Sequence, residues 1–262
     1  MTHNEMLQQA RELLDNGDAK AALSLLRDAA RKGEPSAEVE SLIGEALEES
    51  GDPAGAVAAY KRAIELDPED IDSAYALGDV LFEMNNFEAA MAAYTRITEL
   101  FVDQSDAWVS IGLVHFSQER IDEAITCYER ALQLTPDSTF ACNSLGDALF
   151  ASGEPEQALG MFQRVIVLDP EDPQAYYNLA EMYYDMDDLD AAEENCRRAL
   201  ELDPGFAYAY LTIGNIHLDR EEMDDALQAF QEFLLREHSP AAEDIRSEVA
   251  AVVDGLKAEL GH

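Results

Sequence analysis

Apolar side chains along this chain fall in short helical stripes, and the stripes come in pairs. Trp108, Ile111, Gly112 and His115 stand at i, i+3, i+4 and i+7, the spacing that lines one face of an amphipathic helix. A second stripe through Ala124, Tyr128 and Ala131 follows a polar break. Similar breaks, SGDP at 50–53, MNNF at 84–87 and SGEP at 152–155, have the residues and the length of a tight helix-to-helix connection. The pattern predicts helical hairpins.

The hairpin recurs. Pro68, Pro136, Pro170 and Pro204 are separated by 68, 34 and 34 residues, and Val102 fills the vacant place, so the period is 34. In frames starting at 37, 71, 105, 139, 173 and 207, the eighth place is Gly44, Gly78, Gly112, Gly146, Ala180 and Gly214. The twentieth is Ala56, Ala90, Ala124, Ala158, Ala192 and Ala226, and the twenty-fourth is Tyr60, Tyr94, Tyr128, Phe162, Cys196 and Phe230. Small residues at places 8 and 20 let two helices approach closely, and the ring at 24 fills the space beside them. Proline at place 32 disfavours helical geometry just before it and so can end the second helix. A weaker copy at 3–36 carries Ala10, Gly17, Ala22 and Leu26. Val102 and His238 at the proline place, and Glu34 with Pro35 one residue late, leave the ends of the neighbouring helices open.

This period, with Trp108, Ile111, Gly112, Ala124, Tyr128, Ala131 and Pro136 in place, resembles the tetratricopeptide repeat family. The resemblance implies an all-α fold, a right-handed superhelical solenoid of antiparallel helix pairs over 3–240, in copies 3–36, 37–70, 71–104, 105–138, 139–172, 173–206 and 207–240. Residues 241–262 then form a capping helix, with Ile245, Val249, Val252, Val253, Leu256 and Leu260 on one side. It also implies a concave groove lined by the first helices through places 2, 5, 9 and 12. Place 2 holds Asp72, Asp106, Phe140 and Tyr208, and place 5 holds Tyr75, Val109, Asn143 and Tyr177. Place 9 holds Asp79, Asp147 and Glu181, and place 12 holds Phe82, Phe116, Phe150 and Tyr184.

Charge narrows the choice of partner. The chain has 55 acids against 17 bases, a net charge of −38, which repels phosphate backbones and anionic membrane surfaces over about 8 to 10 Å; nucleic acid is excluded as a partner. No window approaches the apolar length of a membrane span, so membrane insertion is not expected and a soluble cytoplasmic protein is. Three cysteines without CxxC spacing, Cys127, Cys142 and Cys196, fit a reducing compartment. The six first-helix windows hold 13 acids and one base, Arg220, whereas the second helices hold eight bases, so the absence of bases makes the groove negative. The chaperone-binding carboxylate clamp of the family needs Lys and Arg there, and Asn143 and Asn178 do not replace them. The expected partner is another protein, held through a basic segment with apolar anchors, with rings adding cation–π contacts of about 0.5–1 kcal/mol each. Two readings compete with ligand contact: packing of the place-12 rings beneath the next repeat, and acidity as adaptation to high salt, since Lys numbers 4 against 13 Arg. A self-assembling scaffold, hence a homo-oligomer, and a regulatory subunit of an enzyme complex are the alternative functions.

Catalytic readings find little. The chain has no GxGxxG, P-loop, HExxH or nucleophile elbow, and no cofactor is implied. His115 and His217 share place 11, in the packing stripe, and Cys142 and Cys196 stand where larger core residues usually do. Asp185, Asp187, Asp188 and Asp190 occupy a hairpin turn, where Asp favours caps and turns; as a calcium loop they fail, because Leu189 takes a ligand place, the glycine is missing and no acid closes the loop. Tyr176 and Tyr183, at places 4 and 11, are expected in the core. Arginine at place 26 in five consecutive copies, as in Arg62 with Glu65, reads as an i, i+3 solvated pair.

Overall fold

The computed structural model describes residues 2–33 and 35–261; Glu34 lies outside them. Seven hairpins follow in order: α1 (His3–Asp15) with α2 (Ala19–Lys32), α3 (Ala37–Glu49) with α4 (Pro53–Leu66), α5 (Ile71–Glu83) with α6 (Phe87–Leu100) and α7 (Ser105–Ser117) with α8 (Ile121–Leu134). Then come α9 (Thr139–Ala151) with α10 (Pro155–Leu168), α11 (Pro173–Asp185) with α12 (Leu189–Leu202) and α13 (Ala207–Asp219) with α14 (Met223–Arg236). A short 3-10 turn, Pro240–Ala242, leads into α15 (Glu243–Leu260). The described residues contain no strand.

Each first helix spans places 1–13 and each second helix places 17–30. Proline is not what sets the second boundary. Helix α6 ends at Leu100 although Val102 stands at the proline place, and α14 ends at Arg236 before His238. The turn between helices is equally regular, since the residue at place 15 is left-handed in every repeat: Gly17, Gly51 and Gly153, but also Asn85, Glu119, Asp187 and Glu221. Glycine adopts that conformation without steric cost, and the longer side chains hold it against a local penalty. The backbone N–H of place 16 then donates to the carbonyl of place 11, as in Asp52 to Leu47 at 2.8 Å and Asp188 to Tyr183 at 2.9 Å.

Packing inside a hairpin rests on place 8. A Cβ on Gly78 would lie 2.3 Å from Tyr94 Cε1, and one on Gly112 2.4 Å from Tyr128 Cε1, so the ring of the second helix lies directly on the backbone of the first. Where the ring is missing, the glycine is too: Ala180 faces Cys196, and Ala10 accompanies Leu26, all fully buried. Volume is conserved across the pair.

The chain divides into two compact units, with the boundary in sequence between Pro136 and Asp137. The first contains α1–α8 around a core that includes Leu26, Val39, Tyr60, Tyr94, Ile97 and Val114. The second contains α9–α15, where Val249, Val253 and Leu256 of α15 pack on Ala226, Leu227, Phe230 and Phe233 of α14. Val252 does not join them; it stays 39% exposed, at the rim of the expected stripe. Each buried Val or Leu contributes about 1.5–3 kcal/mol, so α15 covers an apolar face that α14 would otherwise leave in water.

Candidate functional site

In the first unit, the faces of α3, α5 and α7 form an acidic cup of about 350 Å³, lined by Glu48, Asp79, Phe82, Glu83, Tyr94, Ser110 and Leu113. Tyr94 at place 24 lines it, and Tyr60, at the same place of the preceding repeat, holds its wall residue Glu48. Tyr94 donates its hydroxyl to Asp79 Oδ1 at 2.6 Å, and Tyr60 donates to Glu48 Oε2 at 3.0 Å. These bonds satisfy hydroxyls whose rings are almost wholly buried and fix two carboxylates at the cup wall. Partial burial raises the Glu48 carboxyl above its ordinary value; the Tyr60 hydrogen bond opposes this, and the charges of Glu83 and Asp79 add to it. Phe82 lies edge-on to Phe87, with centroids 5.6 Å apart, which leaves one side of its ring to the cup.

The other expected residues of this unit are placed as follows. Asp72 and Asp106 are exposed, and Tyr75 and Phe116 are half-buried. Burial, then the charge of Asp106, pushes the Tyr75 hydroxyl up to about 12. Val109 is a correction: it is completely buried and belongs to the core. The first copy also places a base on this surface, since Arg11 at place 9 binds Glu38 Oε1 at 2.8 Å.

The second unit carries a more aromatic surface. Phe140 is 55% exposed and Phe150 39%, and Asp147 is exposed at its surface while burial of its carboxyl raises its pKa. Tyr177 packs on Phe206 at 5.1 Å and Tyr208 lies edge-on to Phe233 at 5.8 Å. Glu181 accepts from Thr212 Oγ1 at 2.6 Å, and Tyr184 donates to Asp219 Oδ2 at 2.7 Å. Burial and then that bond push the Tyr184 hydroxyl up to about 12. Asn143 Oδ1 faces Asn178 Nδ2 at 3.4 Å. Tyr184 therefore both packs against the following repeat and stays partly open, so the two readings of place 12 are not exclusive there.

Several surface residues depart from expectation. Tyr176 and Tyr183 are half-buried rather than core, and with Leu179 they line a cavity of about 840 Å³ on the packing-stripe side. Three of the acids around that larger cavity are paired: Arg197 binds Glu193, Arg198 binds Glu201 at 2.6 Å and lies over the Tyr176 ring, and Arg220 binds Glu193 and Asp190. Arg220, the single base counted on the first helices, is thus held by α12. Arg62 does not pair with Glu65; its Nε binds Glu40 Oε2 at 2.7 Å on the preceding helix. Burial raises the Cys127 and Cys196 thiols, with smaller contributions from nearby acids, to about 11 and about 12. His115 is half-buried, its Nδ1 has no partner among the described residues, and desolvation followed by Arg120 holds its pKa below the ordinary value. In the turn at 185–190, Asp188 caps α12 through Ala191 N at 3.2 Å and Asp190 binds Arg220.

Glu48, Glu83, Tyr94, Ser110 and Leu113 complete the cup without having been singled out as site residues. The available signal was the choice of Tyr over Phe at place 24 in two repeats whose first helices carry an acid at place 9 or 12.

A family model described as tetratricopeptide repeat matches residues 7–71, 143–207 and 183–243. The chain belongs to the tetratricopeptide repeat family. A second model of that description matches 47–110, and one described as TPR repeat matches 112–153. No curated protein matches the sequence. Among solved structures, a tetratricopeptide repeat protein from Parabacteroides merdae is similar at a TM-score of 0.75 and 18% identity, over 96% of this chain and 98% of that one. The Cut9–Hcn1 hetero-tetramer of the APC/C gives a TM-score of 0.67 at 18% identity, over 92% of this chain and 48% of that one. YrrB, described as a TPR protein with an unusual peptide-binding site, gives 0.52 at 26% identity, over 70% of this chain and 94% of that one. Tetratricopeptide repeats are interaction modules, and among the described residues no helix is long and apolar enough to cross a membrane.

Proposed function

We propose that the acid-and-ring faces of the first helices hold a basic, partly apolar segment of another protein, and that the chain is a non-catalytic adaptor or assembly factor. The cup in the first unit carries this reading: Glu48, Asp79 and Glu83 meet beside Phe82 with no base among the lining residues. Around the larger cavity of the second unit, by contrast, arginines pair with Asp190, Glu193 and Glu201. Burial first, and then the like charges of Glu83 and Asp79 at the same wall, raise the cost of keeping Glu48 ionised. A lysine or arginine entering the cup removes that repulsion, and its stem packs on the Phe82 ring. The description of YrrB as a peptide binder supports the same class of ligand.

A fluorescein-labelled peptide alternating lysine and leucine tests the proposal. Binding should weaken progressively with added salt, because exposed charges interact within a Debye length of about 8–10 Å, and a glutamate–leucine peptide should not bind. Equal binding of both peptides, or lysine-peptide binding indifferent to salt, would contradict it.

A further inference from the structure

The last hairpin holds a cluster that groove binding does not use. His217, Glu222 and Asp225 present ligand atoms that all lie within 4.8 Å of one another, and His217 Nδ1 is 2.6 Å from Glu222 Oε2. We propose that these three residues form a site for a borderline divalent cation of the zinc and cobalt(II) class.

The fold brings them together. The Glu222 N–H donates to the His217 carbonyl at 2.8 Å, the place-16 to place-11 bond that recurs in every hairpin, so the backbones at these two places are neighbours, and in the last hairpin their side chains touch. Place 19 lies one turn into the second helix, next to place 16 on the same face. The other repeats put Leu13, Asp18 and Ala21, Leu47, Asp52 and Gly55, or Leu81, Asn86 and Ala89 at the three places. Further along stand His115, Arg120 and Glu123, then Leu149, Glu154 and Gln157, then Tyr183, Asp188 and Ala191. Only the last repeat offers a metal-ligating side chain at all three.

Glu222 behaves differently from the aspartates at the same place, and from Glu154, which makes no cap bond either but accepts from Gln157. Asp18, Asp52 and Asp188 each cap the second helix through the backbone N–H at place 19. Glu222 makes no cap bond and turns its carboxylate to the imidazole. Arg220, the nearest base in sequence, is occupied by Asp190 and Glu193. An ion with bonds of about 2.0–2.1 Å in tetrahedral geometry separates its ligand atoms by about 3.3 Å, so side-chain rotations that open the 2.6 Å His217–Glu222 contact bring the three atoms around it. One imidazole with two carboxylates suits zinc, cobalt(II) or nickel better than magnesium or calcium, which prefer all-oxygen shells. The net charge of −38 enriches divalent cations at the surface before they find the site.

The same charge binds cations diffusely, so the test is run on the full chain in excess magnesium. Titration with cobalt(II), followed by its absorption spectrum, and with zinc, followed by calorimetry, should give one equivalent of binding. Glu222→Gln and Asp225→Asn are surface, shape-conserving changes and should each weaken it about tenfold or more, the loss typical of disturbing even an outer-shell partner. His217→Ala should abolish it, and His115→Ala should leave it unchanged. Cobalt(II) bound equally by the parent, Glu222→Gln and Asp225→Asn chains, or no equivalent surviving excess magnesium, would overturn the proposal. Neither result bears on peptide binding by the acidic cup.

Discussion

At Gly78 a single added methyl group would sit 2.3 Å from the Tyr94 ring, and that ring cannot retreat, because it is buried and its hydroxyl is anchored to Asp79. Overpacking of this kind costs about 1–3 kcal/mol, against a helix-propensity gain of about 1 kcal/mol. Gly78→Ala should therefore lower unfolding stability, whereas Gly160→Ala, with nothing within 4 Å of the new atom, should raise it by about 0.5–1 kcal/mol; chemical denaturation of both variants checks the pair. Glu48 supplies a pH signature. Its folded carboxyl binds a proton more tightly than an ordinary glutamate, so the native state takes up protons first, and stability falls as pH rises through the folded pKa. Acidification from neutral pH toward the ordinary glutamate range should raise the thermal midpoint, and Glu48→Gln should reduce that rise. Glu48 and Glu83 of the cup were not singled out, whereas the small residues, the rings and Asp79 were legible in the sequence. The tyrosine hydroxyls were not, because a pattern that accounts for a ring by its packing says nothing of the polar atom at its end.

Helices show the same division between what a single repeat encodes and what its neighbours decide. Both ends of every helix in the seven hairpins follow the 34-residue frame, and α6 and α14 stop on schedule without proline. Val109 and Arg62 escaped the reading for the opposite reason. A helical wheel for one repeat puts Val109 on the open face and Arg62 beside Glu65; the adjacent helices bury the first completely and offer Glu40 to the second. In α15 the wheel grouped Val252 with Val249, Val253 and Leu256, but the contact with α14 is narrower than the stripe. Leu256→Ala should thus cost about 2–5 kcal/mol, while Val252→Ala, at 39% exposure, should stay within about 0.5 kcal/mol of the parent. Thermal unfolding of the two variants side by side reads the width of that contact.

Over the whole molecule, the net charge of −38 attracts any cationic peptide, so affinity alone does not locate a binding face. What separates the faces is how their charge is arranged. The cup gathers Glu48, Asp79 and Glu83 with no compensating base among its lining residues, whereas Arg198 neutralises Glu201 and Arg197 neutralises Glu193 on the second helices. The decisive measurement compares two triple variants of equal charge by anisotropy of the lysine–leucine peptide: Glu48→Gln, Asp79→Asn and Glu83→Gln in the cup, and Glu65→Gln, Glu99→Gln and Glu129→Gln on exposed second-helix positions. The account predicts that the cup variant loses about tenfold or more in affinity, about 1.4 kcal/mol, while the second-helix variant changes by less than about twofold. Equal losses from both would show that only the overall charge attracts the peptide and would contradict a site in the cup.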